Sequence, residues 1–231
     1  MRLHRFIGNF DLSKKEVEII NPENITQIKD VLRLEKDDVI ILADGKGNSA
    51  EVILNFISKN KITGAVGKVE KKNTTKRKVS LYLAILKKEN FELAVQKAVE
   101  CGVSNITPVI TERTIKTGLN IPRLNKIILE ASEQCGQNIV PKLFPILDFP
   151  VALAYGSAAP EKIIFHLCDE LYKPSPSAKN ISIFVGPEGG FTEKEINSAK
   201  DSGYTIASLG HLTLRAETAA IIAAYRTTKG I

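Results

Sequence analysis

Ile181-Ser182-Ile183-Phe184-Val185 runs directly into Gly186-Pro187-Glu188-Gly189-Gly190-Phe191 and then into Thr192-Glu193-Lys194-Glu195. The first five residues are a short apolar run of the kind a parallel strand covered on both faces requires. The glycines that follow let the backbone turn and let a ligand approach it closely. Thr192 and Glu195 have capping-box spacing, each side chain able to take the other's backbone N–H, so a helix opens here and extends to about Ser202. Strand, glycine turn and helix in immediate succession are the repeating unit of an α/β sheet with crossover helices.

Working outward, the same alternation continues in both directions. Lys162–Leu167 and Tyr204–Ser208 read as further strands, and Glu217–Thr228 as an alanine-rich closing helix. Upstream, Val79–Leu86 is an apolar strand and Ile106–Ile110 another. Asn90–Cys101 between them places Phe91, Ala94, Val95, Ala98 and Val99 on one helical face, with Gly102 as its C-cap. Leu124–Gln134 is also helical. Glu70–Lys78 is basic, polar and free of apolar residues apart from the strand it adjoins, and reads as a linker with the domain boundary at residues 72/73.

Before that boundary the pattern is β-rich. Val39–Leu42 is closed by the turn Asp44-Gly45-Lys46-Gly47-Asn48, and Glu51–Ile57 and Ile62–Val69 follow as strands. Ile25, Ile28, Val31 and Leu32 lie near helical spacing, predicting a short helix over Asn24–Leu34. Several short strands with polar turns suggest a small barrel. The charge is uneven: residues 1–78 hold 16 Lys+Arg against 11 Asp+Glu, a balance of +5 out of the chain's +6. A basic module of this kind suits contact with a polyanion.

Across 231 residues, 43% are hydrophobic and 25% charged, as in a soluble globular protein. No apolar run approaches a membrane span, and Met1–Phe6 leads into charged sequence without an apolar signal region, so a cytoplasmic location is expected. Cys101, Cys135 and Cys168 are far apart with no CxxC pair, which indicates neither a disulfide framework nor a zinc knuckle; no metal is expected.

A second glycine-containing turn, Leu209-Gly210-His211-Leu212-Thr213-Leu214-Arg215-Ala216-Glu217-Thr218-Ala219, also follows a strand. Ligands of open α/β sheets bind at such strand ends. A phosphate loop would show GxxxxGK[ST] and a dinucleotide turn GxGxxG, and neither is present. Composition therefore points to a ligand at the two turns and leaves its identity open.

The wording of the turns is more specific. GPEGGFTEKE at 186–195, followed some twenty residues later by LGHLTLRAETA at 209–219, resembles the SPOUT-class methyltransferases that modify uridine N3 in small-subunit ribosomal RNA (the RsmE-type family). Met1-Arg2 with Arg5-Phe6, Val31-Leu32-Arg33, Lys87-Lys88, Glu100–Val103, Thr111-Glu112-Arg113 and Ala131–Gly136 resemble other family segments. Two positions depart from the pattern: Leu212 and Gln137 stand where arginine is usual, which removes fixed cations available for RNA or a partner subunit.

The resemblance implies an α/β fold: a SPOUT methyltransferase domain over 73–231 with a C-terminal trefoil knot, preceded by a PUA-like β-barrel over 1–72 that binds RNA. It implies a homodimer, S-adenosyl-L-methionine as cofactor and 16S ribosomal RNA or the small ribosomal subunit as partner. The cofactor would lie against Leu167, Gly186, Pro187, Glu188, Gly189, Leu209, Gly210, His211 and Leu214, largely through backbone groups. Arg215 would stabilise the uracil anion formed when N3 loses its proton. Glu217 would take that proton, orient Arg215 or form an ion pair with it. Arg2, Arg5, Arg33, Lys87, Lys88 and Arg113 are candidate RNA contacts, and His4 and His166 read as surface or packing residues. Two other readings stand beside this one: a SPOUT methyltransferase acting on another RNA position or on a ribose 2′-hydroxyl, and a non-catalytic RNA-binding protein.

Overall fold

The computed structural model describes residues 3–71 and 77–231; Arg2 and the centre of the basic linker, including the expected 72/73 boundary, lie outside the described residues. The described chain falls into two compact units. One runs to Lys71 and includes Ser132–Val140; the other comprises the rest from Arg77 onward.

The first unit contains β1 (Arg5–Ile7), β2 (Glu16–Ile19), the short helix α1 (Pro22–Thr26), β3 (Val39–Ala43), β4 (Asn48–Ile57) and β5 (Ile62–Lys71). Its five-stranded sheet has the order β1-β3-β4-β5-β2, with β1 parallel to β3 and every other pair antiparallel. Phe6, Val17, Ile40, Leu42, Val52 and Leu54 form its core, covered by Ile25 and Ile28. The β3–β4 turn is held by Asp44, whose carboxylate accepts the N–H groups of Lys46 and Asn48 and the Asn48 amide.

The helix expected over Asn24–Leu34 is shorter and wider. After α1 the chain makes one π turn, Gln27–Val31, closed by the Leu32 N–H donating to Gln27 O. The wider turn rotates Val31 out of the predicted apolar face, leaving it 69% exposed. Arg33 follows at φ 53°, a left-handed backbone for a residue with a long side chain.

Ser132–Val140 is built into the first unit through Asn138. Its carboxamide oxygen accepts from the Arg5 guanidinium, its amide donates to Ser49 Oγ at 2.8 Å, and its carbonyl accepts the Gly47 N–H at 3.0 Å.

The second unit is a parallel sheet with helices. Its elements are β6 (Lys78–Ala84), α2 (Lys88–Cys101), β7 (Asn105–Ile110), α3 (Ile121–Cys135, whose end belongs to the first unit), β8 (Lys142–Leu143), β9 (Leu147–Asp148), α4 (Phe149–Gly156), β10 (Glu161–Phe165), β11 (Asn180–Val185), α5 (Glu193–Asp201), β12 (Thr205–Ala207) and α6 (Ala216–Lys229). The strand order is β12-β10-β11-β6-β7-β8, with β9 also on β7, and all pairs are parallel.

The predicted apolar face of α2 is buried in full, and Gly102 ends the helix at φ 95°. The capping box at Thr192 and Glu195 is formed. Below the strand ends, Phe184 stacks on Tyr82 at 4.4 Å and meets Phe149 and Tyr204 edge-on. Aromatic packing of this kind fixes the sheet surface from which the glycine turns emerge. α6 packs against α2, where the Thr228 hydroxyl donates to Cys101 O at 2.8 Å.

Candidate functional site

Three chain segments converge where β10 and β11 end. The Gly186–Phe191 turn leaves β11, Leu167 continues from β10, and Ser208–Arg215 leads from β12 into α6. Together with Lys87 and Asn90 at the start of α2 they line one cavity of ≈ 610 Å³. Pockets for small ligands commonly have about 300–1,000 Å³. The site sits at C-terminal strand ends, as the topology of parallel sheets favours.

The first glycine turn is held from three directions. Gly190 adopts φ 68°, which a side chain would strain. A Cβ on Gly186 would stand 3.1 Å from the Phe191 ring, so the close return of the chain requires glycine. The Arg113 guanidinium donates to Gly189 O at 2.6 Å. Glu195, buried, accepts the Thr192 N–H at 2.8 Å on one carboxylate oxygen and the Glu112 N–H at 2.9 Å on the other. Thus Glu112 and Arg113 fasten the turn from a distant part of the chain. Glu188 reaches back to accept the Lys87 N–H at 3.1 Å, which places a carboxylate at the positive end of α2.

The second turn is tied to the loop after β10. Ser208 N–H donates to Glu170 O at 2.7 Å and Tyr172 N–H to Ser208 O at 2.8 Å. Ser208 Oγ donates to Gly210 O at 2.5 Å. Arg215 is exposed at the N-cap of α6, and Glu217, only 9% exposed, lies in that helix's first turn. Among the described residues no ion pair joins these two, and neither side chain makes a hydrogen bond.

Of the residues expected at a cofactor, Leu167, Gly186, Pro187, Glu188, Gly189, Leu209 and Leu214 line the cavity, as do Arg215 and Glu217. Gly210 and His211 do not; they lie between lining residues, with open space around Gly210. Of the residues expected at RNA, Lys87 lines the cavity while Lys88 and Arg33 are exposed. Arg113 holds the glycine turn and Arg5 holds Asn138. Sequence reasoning passed over Asn90, which looked like an ordinary helix start, and His166, set aside as packing. His166 lines the cavity, and burial, followed by the charge of Arg113, holds its imidazole below the usual 6.5.

The cavity has the features a charged nucleoside needs: apolar walls from Leu167, Phe191, Leu209 and Leu214, backbone groups at two glycine turns, and the unpartnered Glu217 carboxylate.

Comparison with known proteins agrees with this geometry. Residues 73–227 match the family model described as an RNA methyltransferase domain. A Rickettsia conorii protein named ribosomal RNA small subunit methyltransferase E is 32% identical over 234 residues, covering 96% of this chain and 94% of the relative. A Borreliella burgdorferi protein named ribosomal RNA small subunit methyltransferase E 2 is 32% identical over 93% of this chain and 89% of its own. The crystal structure of a ribosomal RNA small subunit methyltransferase E from Neisseria gonorrhoeae, bound to S-adenosyl methionine, superposes with a TM-score of 0.85 at 30% identity, covering 97% of both chains. The sheet order, the cavity at its strand ends and these matches along nearly the whole length agree, and the chain belongs to the RNA methyltransferases, within the ribosomal RNA small subunit methyltransferase E family.

Proposed function

We propose that the protein methylates N3 of a uridine in 16S ribosomal RNA, with S-adenosyl-L-methionine bound in the cavity between the Gly186–Phe191 and Ser208–Arg215 turns. The observation that carries this reading is the convergence of both glycine turns and Arg215 on a single cavity. The bound cofactor supplies an electrophilic methyl group on a sulfonium. The protein's part is to align the acceptor with it and to stabilise the charge the acceptor must carry.

Leu167, Leu209 and Leu214 enclose the adenosine, and the backbone of the two turns supplies its hydrogen-bonding groups. Arg215, exposed at the cavity and without an ionic partner among the described residues, can present its guanidinium to a uracil carbonyl oxygen. That favours the N3 anion over the protonated base. The two side chains do not pair, so in this proposal Arg215 takes the role without an orienting partner. Uracil N3 lies on the pairing edge, so the target base enters unpaired or flipped.

The same reading takes the N-terminal five-stranded sheet as a PUA-like barrel that binds RNA, with Arg2 and Arg33 among its cations. It takes the C-terminal segment as a trefoil knot. Support for the knot comes from the chain order: β12 lies beyond β10 from β11, and the 208–215 turn is hydrogen-bonded to the loop after β10 before α6 returns to pack on α2. A homodimer in the cytoplasm is part of the proposal. Leu167 and Leu212, 57% and 81% exposed at the cavity edge, are apolar surface that a second copy would cover.

Nucleoside mass spectrometry of 16S RNA from a strain lacking the gene tests the reaction. Loss of N3-methyluridine, restored by the parent gene and not by an Arg215→Lys gene, is the expected result. Loss of a ribose-methylated nucleoside instead would assign the enzyme to another acceptor, and an unchanged nucleoside profile would contradict the proposal.

A further inference from the structure

Glu217 is the one acidic side chain that lines the cavity, is nearly buried and has no hydrogen-bonding or ionic partner among the described residues. Glu188 also lines it but is exposed and holds the Lys87 N–H. A nearly buried carboxylate that faces a cavity without a partner is a place where a bound cation is favoured. The N-terminal end of α6 compensates in part, since Glu217 lies in the helix's first turn. Arg215, two residues away, lines the same cavity without pairing with the carboxylate, which stays open toward the cavity. Neither Arg215 nor Lys87, the cations that line the cavity, pairs with it, so a cationic ligand can complete the carboxylate.

We infer that Glu217 recognises the sulfonium charge of S-adenosylmethionine and so makes the pocket prefer the methyl donor over its demethylated product. The inference rests on the cofactor reading above and assigns Glu217 to the cofactor in place of the uracil proton. The chemistry favours that assignment. Uracil N3 is a far weaker acid than a carboxylic acid, so a carboxylate is poorly matched as its base. A fixed positive charge is matched to it without any proton transfer. When the sulfur–methyl bond breaks, its electron pair stays on sulfur and the sulfonium becomes a neutral thioether. The charge that Glu217 answers is therefore present before transfer and gone afterwards, which loosens the spent cofactor. The N3 proton leaves to water, with Arg215 holding the resulting anion.

Three ligands separate the charges involved: S-adenosylmethionine, S-adenosylhomocysteine, and sinefungin, the analogue that carries an ammonium in place of the methylsulfonium. All three have the same adenosine and the same amino-acid end. Calorimetry on the intact chain and on Glu217→Gln, with thermal melts beside it, is the experiment. The parent should bind the two doubly cationic ligands more tightly than S-adenosylhomocysteine. Glu217→Gln should lose about tenfold or more in affinity for those two, and less than about threefold for S-adenosylhomocysteine, so that the preference collapses; tenfold corresponds to about 1.4 kcal/mol. Equal losses for all three would overturn the inference by moving Glu217 to the common amino-acid end or to a purely structural role. Unchanged affinities with lost turnover would return it to proton transfer. Should Glu217→Gln not fold, Glu217→Asp keeps the charge and must keep the preference. A parent that binds none of the three contradicts the methyltransferase reading itself, a separate failure from a parent that binds them all without preference.

Discussion

Replacing Arg215 by lysine separates a catalytic role from a structural one, because the structure sets the size of each. The side chain is exposed, sits at the N-cap of α6 without capping it, and has no hydrogen bond or ion pair among the described residues. Exposed substitutions away from such contacts change stability by about 0.5 kcal/mol or less. The melting temperature and the affinity for S-adenosylmethionine should therefore stay near the parent's. Turnover should not. Lysine keeps the charge but loses the planar fork that reaches a carbonyl oxygen and a neighbour together. Losing one preorganised donor to a developing anion lowers rates by roughly 10²–10³, so a fall of about a hundredfold or more is expected. Raising the pH should restore part of it, because hydroxide then removes the N3 proton without help. The assay is methyl transfer to ribosomal RNA against pH for parent and variant, with thermal melts in parallel. A variant with a lowered melting temperature, weakened cofactor binding and no rescue at high pH would refute the reasoning, as would one that turns over normally.

The proposed cofactor contact with the Leu209–His211 backbone predicts that Gly210→Val abolishes S-adenosylmethionine binding and leaves the melt unchanged, since a Cβ there meets nothing within 4 Å in the protein. Calorimetry and a melt decide it, and unchanged binding would keep Gly210 outside the site, where the cavity lining leaves it. His166 has a depressed folded-state value, so its neutral form is favoured at neutral pH and the stability it contributes is lost as pH falls through that value, below 6.5. Protonation also adds a cation beside Arg113 and the cavity, so cofactor affinity should weaken in the same acid window, and His166→Asn should flatten that limb of an affinity–pH profile. Arg33→Asn should leave the melt unchanged or raise it, because asparagine tolerates φ 53° better than arginine does, yet it should weaken RNA binding in a salt-dependent filter or fluorescence assay. An unchanged RNA affinity would remove Arg33 from the interface.

What sequence alone determined here is what short-range physics encodes. The Thr192–Glu195 capping box, the buried face of α2 with its Gly102 cap, the Asp44 turn and the apolar runs of β10 and β11 each depend on residues within a few positions of one another. The two glycine turns, which border one cavity, were legible at their strand ends for the same reason, and their wording carried the family. Where local signals are weak, reading failed or stopped. Phe149–Gly156 is apolar almost throughout, with no period to mark it as α4, and the π turn at Gln27–Val31 shifts a side-chain register that periodicity assumes constant.

Tertiary structure alone decided which distant residues meet. Arg113 looked like an exposed cation for RNA; its place 76 residues before Gly189 gave no sign that it would donate to that carbonyl. Arg5 and Asn138 are 133 residues apart, and their contact makes Ser132–Val140 part of the N-terminal unit. Arg215 and Glu217, two positions apart, invited pairing; Arg215 is the extended N-cap residue and Glu217 lies inside the first turn of α6, and the two line one cavity without pairing. Spacing along a chain fixes local geometry, whereas the partner a buried carboxylate or an exposed guanidinium finds depends on the whole sheet being assembled first.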